Sequence, residues 1–317
     1  MSLARLAKIP LAAALALAAV LSHAQTPPAP DRTLYVTVTN QQGGYIKGLR
    51  REDFVVHDGK RRHEPAALAQ ADAPASVVLL LDFSGSARDS YAKKLGRTKG
   101  SAVLRTALAH FIARSHPENE YAVVAFAREP QLLVEGASGA PEVLAALERV
   151  SVPHEKAQTA FYDALHLALE RSARGRHAKR VVVAFTDGQD NSSKRSFNQT
   201  RRAARESDVL LYAVSLPSGD ERLVNYTGQS ILSELSVTSG GMVLFPEDGR
   251  ELLAAADLLA VELRSQYALS FAAAPSERRD GWHELKVKLN DVRDEKGRPA
   301  KFGVRARQGF YDEAARR

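Results

Sequence analysis

The chain of 317 residues contains no cysteine. That excludes disulfide stapling, thiolate metal ligands and a thioether lipid anchor, so stability must come from the core and any metal must sit on oxygen or imidazole. Several other signals are missing. There is no H-E-x-x-H, no G-x-S-x-G, and no glycine-rich loop running into a lysine-serine pair. These absences speak against a zincin, an elbow-type serine hydrolase and a P-loop ATPase. The nine histidines follow no motif. No internal repeat or low-complexity tract is visible. Basic residues are scattered, with short clusters at Lys60–Arg62 and Arg171–Arg180, and no basic stripe is interleaved with aromatics. The sequence therefore carries no nucleic-acid signature.

Only one long apolar run is present, Ile9 to Leu21. It follows Arg5 and Lys8 and precedes Ser22-His23-Ala24, the pattern of a secretory signal peptide with cleavage after Ala24. An uncleaved anchor is the competing reading, but a span needs roughly 20 apolar residues. No membrane span is expected after cleavage. Taking Arg5 and Lys8 from the net charge of +7 leaves the mature chain at +5. The expectation is an exported protein, periplasmic or secreted, with a solvated basic surface. At 44% hydrophobic and 26% charged residues, the composition is that of a globular protein with a sizeable core.

Residues 1–24 are thus set aside as the signal peptide and 25–31, which include TPPAPD, as a linker. Over 32–72 the apolar period is two. Leu34, Val36 and Val38 share a face, NQQGG supplies a turn, FVVH a second strand, and DGK a hairpin turn. Over 76–265 the character changes. Continuous apolar runs such as SVVLLLD, YAVVAFA, KRVVVAF and VLLYAV alternate with helical patterns such as AFYDALHLALE and ELLAAADLLAVELRS. Strands that are apolar throughout are covered on both faces, so the expectation is an α/β domain with a mostly parallel central sheet flanked by helices. Over 266–315 the period returns to two, at Tyr267, Leu269 and Phe271 and again at Leu285, Val287 and Leu289. Each β-rich flank holds about three strands, thin for a core of its own. The two flanks are therefore expected to pair into one smaller β-sandwich, with the α/β domain inserted between them.

The chemistry-bearing feature is Asp82-Phe83-Ser84-Gly85-Ser86, which follows the first strand of the α/β domain. Open α/β sheets bind ligands at the carboxyl ends of their strands. Three oxygen side chains in one loop suit a hard cation, yet the same residues also serve as a turn or helix cap. Thr159, just before a helix, and Thr186-Asp187-Gly188, just after a later strand, add further polar loops at the same edge.

With these three parts in this order, residues 76–265 resemble a von Willebrand factor type A domain with a metal-ion-dependent adhesion site. The resemblance implies a Rossmann-like fold and one divalent cation, Mg²⁺ foremost and Mn²⁺ or Ca²⁺ as alternatives. It places the ligands at Asp82, Ser84, Ser86, Thr159 and Asp187. Members usually carry Gly-Gly before the threonine, where this chain has Ala157-Gln158. The resemblance further implies a protein partner whose Asp or Glu carboxylate completes the coordination. The flanks, VTVTNQQGGYIKGLRREDFVVHDGK with RSQYALSF and VRARQGFYDE, are similar to a bacterial family of exported von Willebrand factor A-related proteins.

Asp89 falls where integrin-type domains place a ligand of a second metal, but Ser90 replaces the next acid, so Asp89 is read as a solvated or capping acid. Asp190 is expected to face solvent or shape its loop. The leading functional expectation is a non-enzymatic binding module. A metal-dependent hydrolase and a structural component of an envelope assembly with a metal-stiffened loop are the alternatives.

Overall fold

The computed structural model describes residues 32–70, 72–85, 100–150, 158–215, 222–273, 278, 280–290, 292 and 301–312. The signal peptide, the linker, Ser86, Asp89, Ser90 and Ala157 lie outside the described residues.

The central sheet has six strands: β5 (Ala75–Asp82), β6 (Glu120–Phe126), β7 (Pro130–Ala137), β8 (Lys179–Phe185), β9 (Leu210–Val214) and β10 (Val243–Leu244). Their order is β10-β9-β8-β5-β6-β7, parallel except for β7. Every residue of β5 is buried, as its uninterrupted apolar run requires. The pleat sends alternate side chains to opposite faces. Val77, Leu79 and Leu81 pack with Leu108 and Phe111 of α1 (Gly100–Arg114), Val143 of α2 (Ala140–Glu148), and Leu252 and Leu259 of α6 (Gly249–Leu263). Val78 and Leu80 pack with Phe161 and Leu165 of α3 (Phe161–Ala173), Ala204 of α4 (Phe197–Glu206), and Leu232 and Leu235 of α5 (Arg222–Ser239). Local sequence sets the helix ends. Pro141 opens α2, Asp248 caps α6 by accepting from Glu251 N at 2.8 Å, and Gly240, at φ +91°, closes α5.

The two flanks pair with each other. One antiparallel sheet has the order β13-β1-β11-β4, the other β14-β12-β2-β3. Strands β1 (Arg32–Thr39), β2 (Phe54–Asp58), β3 (Arg61–His63) and β4 (Ala67–Gln70) come from the N-terminal flank. Strands β11 (Tyr267–Phe271), β12 (Trp282–Leu289), β13 (Gly303–Arg305) and β14 (Gly309–Tyr311) come from the C-terminal flank. Leu34 sits opposite Leu269, and Val56 opposite Val287. The alternating residues of both flanks form one shared core, with Val36, Phe54, Phe271 and Phe310 buried in it. Among the described residues each flank supplies four strands rather than three.

The two chain crossings between this sandwich and the α/β layer are held together. Arg264, just after α6, pairs bidentately with Asp72, just before β5, at 2.9 Å for both bonds. This pair is exposed and contributes little by itself. The buried link is stronger. Glu262, at the end of α6, is fully buried and accepts from Thr37 of β1 (2.6 Å), Arg305 of β13 (2.6 Å) and Tyr212 of β9 (3.1 Å). Lys179 at the start of β8 is also buried, donates to the Leu263 carbonyl, and is pushed down to about 7 by its burial.

Candidate metal centre

Parallel strands β5 and β8 are neighbours, so their carboxyl ends deliver Asp82 and Thr186-Asp187 side by side. Asp82 is fully buried. Its Oδ1 accepts from Ser84 N at 2.8 Å and its Oδ2 from Thr186 Oγ1 at 2.7 Å. The Ser84 side chain bonds it as well. Burial first, and then the neighbouring Asp187 carboxylate, push Asp82 up to about 7, while these hydrogen bonds pull the other way. Ser84, Thr159 and Asp187 are likewise buried, at 1%, 3% and 2% exposure.

Thr159 reaches the same edge through backbone clamps. Its N–H donates to Asn191 Oδ1 at 2.8 Å, and its carbonyl accepts from Asn191 N (3.0 Å) and Ser192 N (3.2 Å). The next residue, Ala160, donates its N–H to the Ala127 carbonyl at the end of β6. The start of α3 and the loop after β8 are then stitched in both directions. Asp190 accepts from Tyr162 N at 2.9 Å and from Ser193 Oγ, while Asp163 accepts from Lys194 N (2.9 Å) and Arg195 N (3.2 Å). Asp190 therefore shapes the loop by capping α3 from outside it, one of the two roles expected for it.

Of the five residues assigned from sequence, the structure brings Asp82, Ser84, Thr159 and Asp187 to one edge, and Ser86 lies outside the described residues. Among the described residues no cluster of three or more His, Asp or Glu is placed to hold a metal. The set here is different: two carboxylates with hydroxyls. The groups acting most strongly on Asp82 are Asp187, Ser84 and Thr186, none of them a cation. Two adjacent buried carboxylates ringed by neutral oxygens fit a hard divalent cation, which supplies the missing positive charge.

Two residues that matter to this geometry are not among the ligands assigned from sequence. Thr186 ties Asp82 to the Asp187 loop and offers its Oγ1 to Gly188 N at 3.1 Å. Gly228 of α5 touches that loop backbone to backbone. A Cβ on Gly228 would lie 2.1 Å from the Asp187 carbonyl oxygen, and one on Gly188 (φ +79°) would lie 2.5 Å from the Gly228 carbonyl oxygen. A Gly228→Ala protein is expected to lose roughly 1–3 kcal/mol and to respond more weakly to added cation, because the Asp187 loop must move. Thermal melts with and without Mg²⁺ check this; a wild-type response would show that the contact does not hold the loop.

Residues 77–189, which span Asp82, Ser84, Thr159 and Asp187, match the sequence profile of the von Willebrand factor type A domain. The chain carries a von Willebrand factor type A domain. No curated protein sequence matches the chain. Among solved structures, proximal thread matrix protein 1 from the mussel byssus, in the form with a zinc-occupied MIDAS motif, has 18% identity and a TM-score of 0.51. That alignment covers 66% of this chain and half of the mussel protein. A von Willebrand factor type A protein from Catenulispora acidiphila has 14% identity and a TM-score of 0.48, covering 90% of this chain and 76% of that one. The conserved hypothetical protein BatB from Bacteroides thetaiotaomicron has 13% identity and a TM-score of 0.45, covering 60% and 98%. At these identities the likeness to the mussel protein establishes the fold of the type A domain. Among the described residues no helix is long and apolar enough to cross a membrane.

Proposed function

We propose that this chain is an exported, non-enzymatic binding protein whose type A domain holds a divalent cation, Mg²⁺ foremost, on Asp82, Ser84, Ser86, Thr159 and Asp187. An Asp or Glu carboxylate of a partner protein completes the coordination. The observation that carries the reading is the pairing of two buried carboxylates with neutral hydroxyls at one open sheet edge. A cation held largely by neutral oxygens keeps residual charge for an incoming anionic ligand. Support for a binding role rather than catalysis comes from the neighbouring acids. Asp190 and Asp163 have their oxygens committed to backbone N–H groups, which makes them poor general bases. Tyr226, 63% exposed and two residues before Gly228 on α5, offers the large amphipathic contact that interfaces favour. Export rests on the leader at residues 1–24, to periplasm or beyond. The sandwich of 32–72 with 266–315 is the mount that presents the type A domain of 76–265.

Affinity capture from an envelope extract tests the reading. Wild-type protein in Mg²⁺ is expected to retain a partner that chelator releases, and an Asp82→Ala protein, checked for folding, is expected to retain none. Equal retention by both proteins, in chelator as in Mg²⁺, overturns it.

A further inference from the structure

The basic cluster Lys60–Arg62 plays no part in the cation site, and the fold sets it beside β12. Antiparallel pairing puts Lys286 of β12 opposite His57 of β2, and His57 opposite Arg62 of β3. Side chains directly opposite one another share a face about 5 Å apart, and like charges so placed are destabilising. This face is the outer one: Leu285 and Val287 belong to the sandwich core, while Lys286 and Lys288 alternate with them and are exposed. Lys60, Arg62, Lys286 and Lys288 make no ion pair among the described residues. Burial first, and then Lys288, Arg62 and Lys286, push His57 below the usual imidazole range. The face is also concave. A cavity of about 570 Å³ opens on it, lined by five lysines and arginines against two acids. Asp58 is spent on His283 at 2.7 Å, and Arg278 on Asp280 at 3.0 Å. Glu284 is then the one lining acid left against Lys60, Lys286 and Lys288, so the positive surplus survives the internal pairs. Among the described residues no aliphatic side chain lines the cavity, and Trp282 stands at its rim.

We propose that this face of the sandwich binds an extended acidic polysaccharide, a chain of uronic acids. Neighbouring strands lie about 4.8 Å apart, so Lys286, His57 and Arg62 form three rungs spaced at about the length of one sugar ring. A uronate chain laid across the strands brings one carboxylate to each rung. Lys60 and Lys288 widen the positive field on either side. The bound carboxylates offset the three cations that face His57, so the imidazole takes up a proton in the complex. Other polyanions fit less well. A bilayer surface is flat and receives apolar side chains, whereas this face is concave and presents none. Single-stranded nucleic acid stacks its bases on a run of aromatics, and the cavity has one tryptophan. The sandwich meets the α/β layer at the start of β5, and Asp82 lies at the far end of that strand, so the two sites can be filled together. The inference does not use the proposed cation; the export reading supplies only the setting in which such polymers are met.

The test is titration with oligouronates, in chelator so that the cation site stays silent, on the protein from residue 25 onward, which holds every described element. Binding is read by calorimetry and by the emission of Trp282, the only tryptophan in the chain. Wild type is expected to bind, more weakly as salt rises, and to ignore a neutral glucan. A Lys286→Glu/Lys288→Glu protein is expected to bind at least about tenfold more weakly and to melt no lower than wild type, since like charges leave facing positions. Lys286→Gln/Lys288→Gln is expected to weaken binding in the same direction by less. Arg128→Glu/Lys194→Glu makes the same change of net charge on exposed loops of the α/β domain and is expected to bind as wild type does. The His57 imidazole, followed by NMR, is expected to titrate at higher pH in the complex. Absence of binding by wild type, equal binding by the Lys286/Lys288 variants, equal loss in the Arg128/Lys194 variant, or an unmoved His57 titration overturns the assignment. Tighter binding to vesicles of equal parts phosphatidylcholine and phosphatidylglycerol, at matched anionic charge, overturns the polysaccharide in favour of a membrane surface.

Discussion

A Glu262→Ala protein is expected to lose about 3–5 kcal/mol of stability, the cost of breaking a buried charge pair from one side. Glu262 has no exposed surface, and one of its oxygens gathers three donors from three strands: Thr37, Arg305 and Tyr212. Two of those strands belong to the sandwich and one to the α/β sheet, so the carboxylate is the knot between the two units. Alanine leaves the Arg305 guanidinium without its acceptor in a region where it is three-quarters covered. Tyr212 loses its acceptor as well, because Gln266 Nε2, 3.0 Å away, donates to the same hydroxyl rather than accepting from it. Lys179 adds to the loss, since attraction to Glu262 is the leading influence favouring its charged form. Glu262→Gln keeps an acceptor oxygen and is expected to cost less than alanine. A Glu262→Leu/Arg305→Leu pair removes both charges and is expected to recover much of the deficit, as buried ion pairs replaced by apolar groups often do. Urea denaturation measures all three. An alanine cost under about 1 kcal/mol would show that the network is incidental to stability.

Glu262 also marks the limit of what sequence patterning can reveal. ELLAAADLLAVELRS reads as an amphipathic helix, and a glutamate in it reads as a solvated position, yet this glutamate is sealed by strands about 50 and 225 residues away in the chain. The strand that opens the candidate cation site was legible for the opposite reason. A run with no polar interruption can only be covered on both faces, and β5 is. The flank pairing was legible because each flank exposes one apolar face and neither can bury it alone. Strand β7, QLLVEGA, went unread: it is the antiparallel edge, mostly half-exposed, and lacks both alternation and an apolar run. At the site, Asp82 and Asp187 each lie at the end of an apolar strand run, β5 and β8, whereas Gly228 acts through a backbone contact that leaves no periodic trace.

The second large effect concerns the cation itself. In the presence of Mg²⁺ the wild-type protein is expected to melt higher than in chelator, by the linkage of a ligand that binds only the native state. At a free concentration one hundred times the dissociation constant this is about 2.7 kcal/mol. An Asp187→Asn protein is expected to show no such rise. The asparagine oxygen can still accept from Gln189 N, as Asp187 Oδ1 does at 3.0 Å, so the loop keeps its local bond. What it loses is one of the two adjacent buried charges. In chelator that loss relieves the repulsion that pushes Asp82 up, so the variant is expected to be as stable as wild type or more so. The two halves of the prediction have opposite signs: removing the carboxylate helps without metal and hurts with it. A general packing defect would lower both melts together, and a structural role without cation binding would leave both proteins indifferent to Mg²⁺. Equal Mg²⁺-induced shifts in wild type and Asp187→Asn would remove Asp187 from the ligand set.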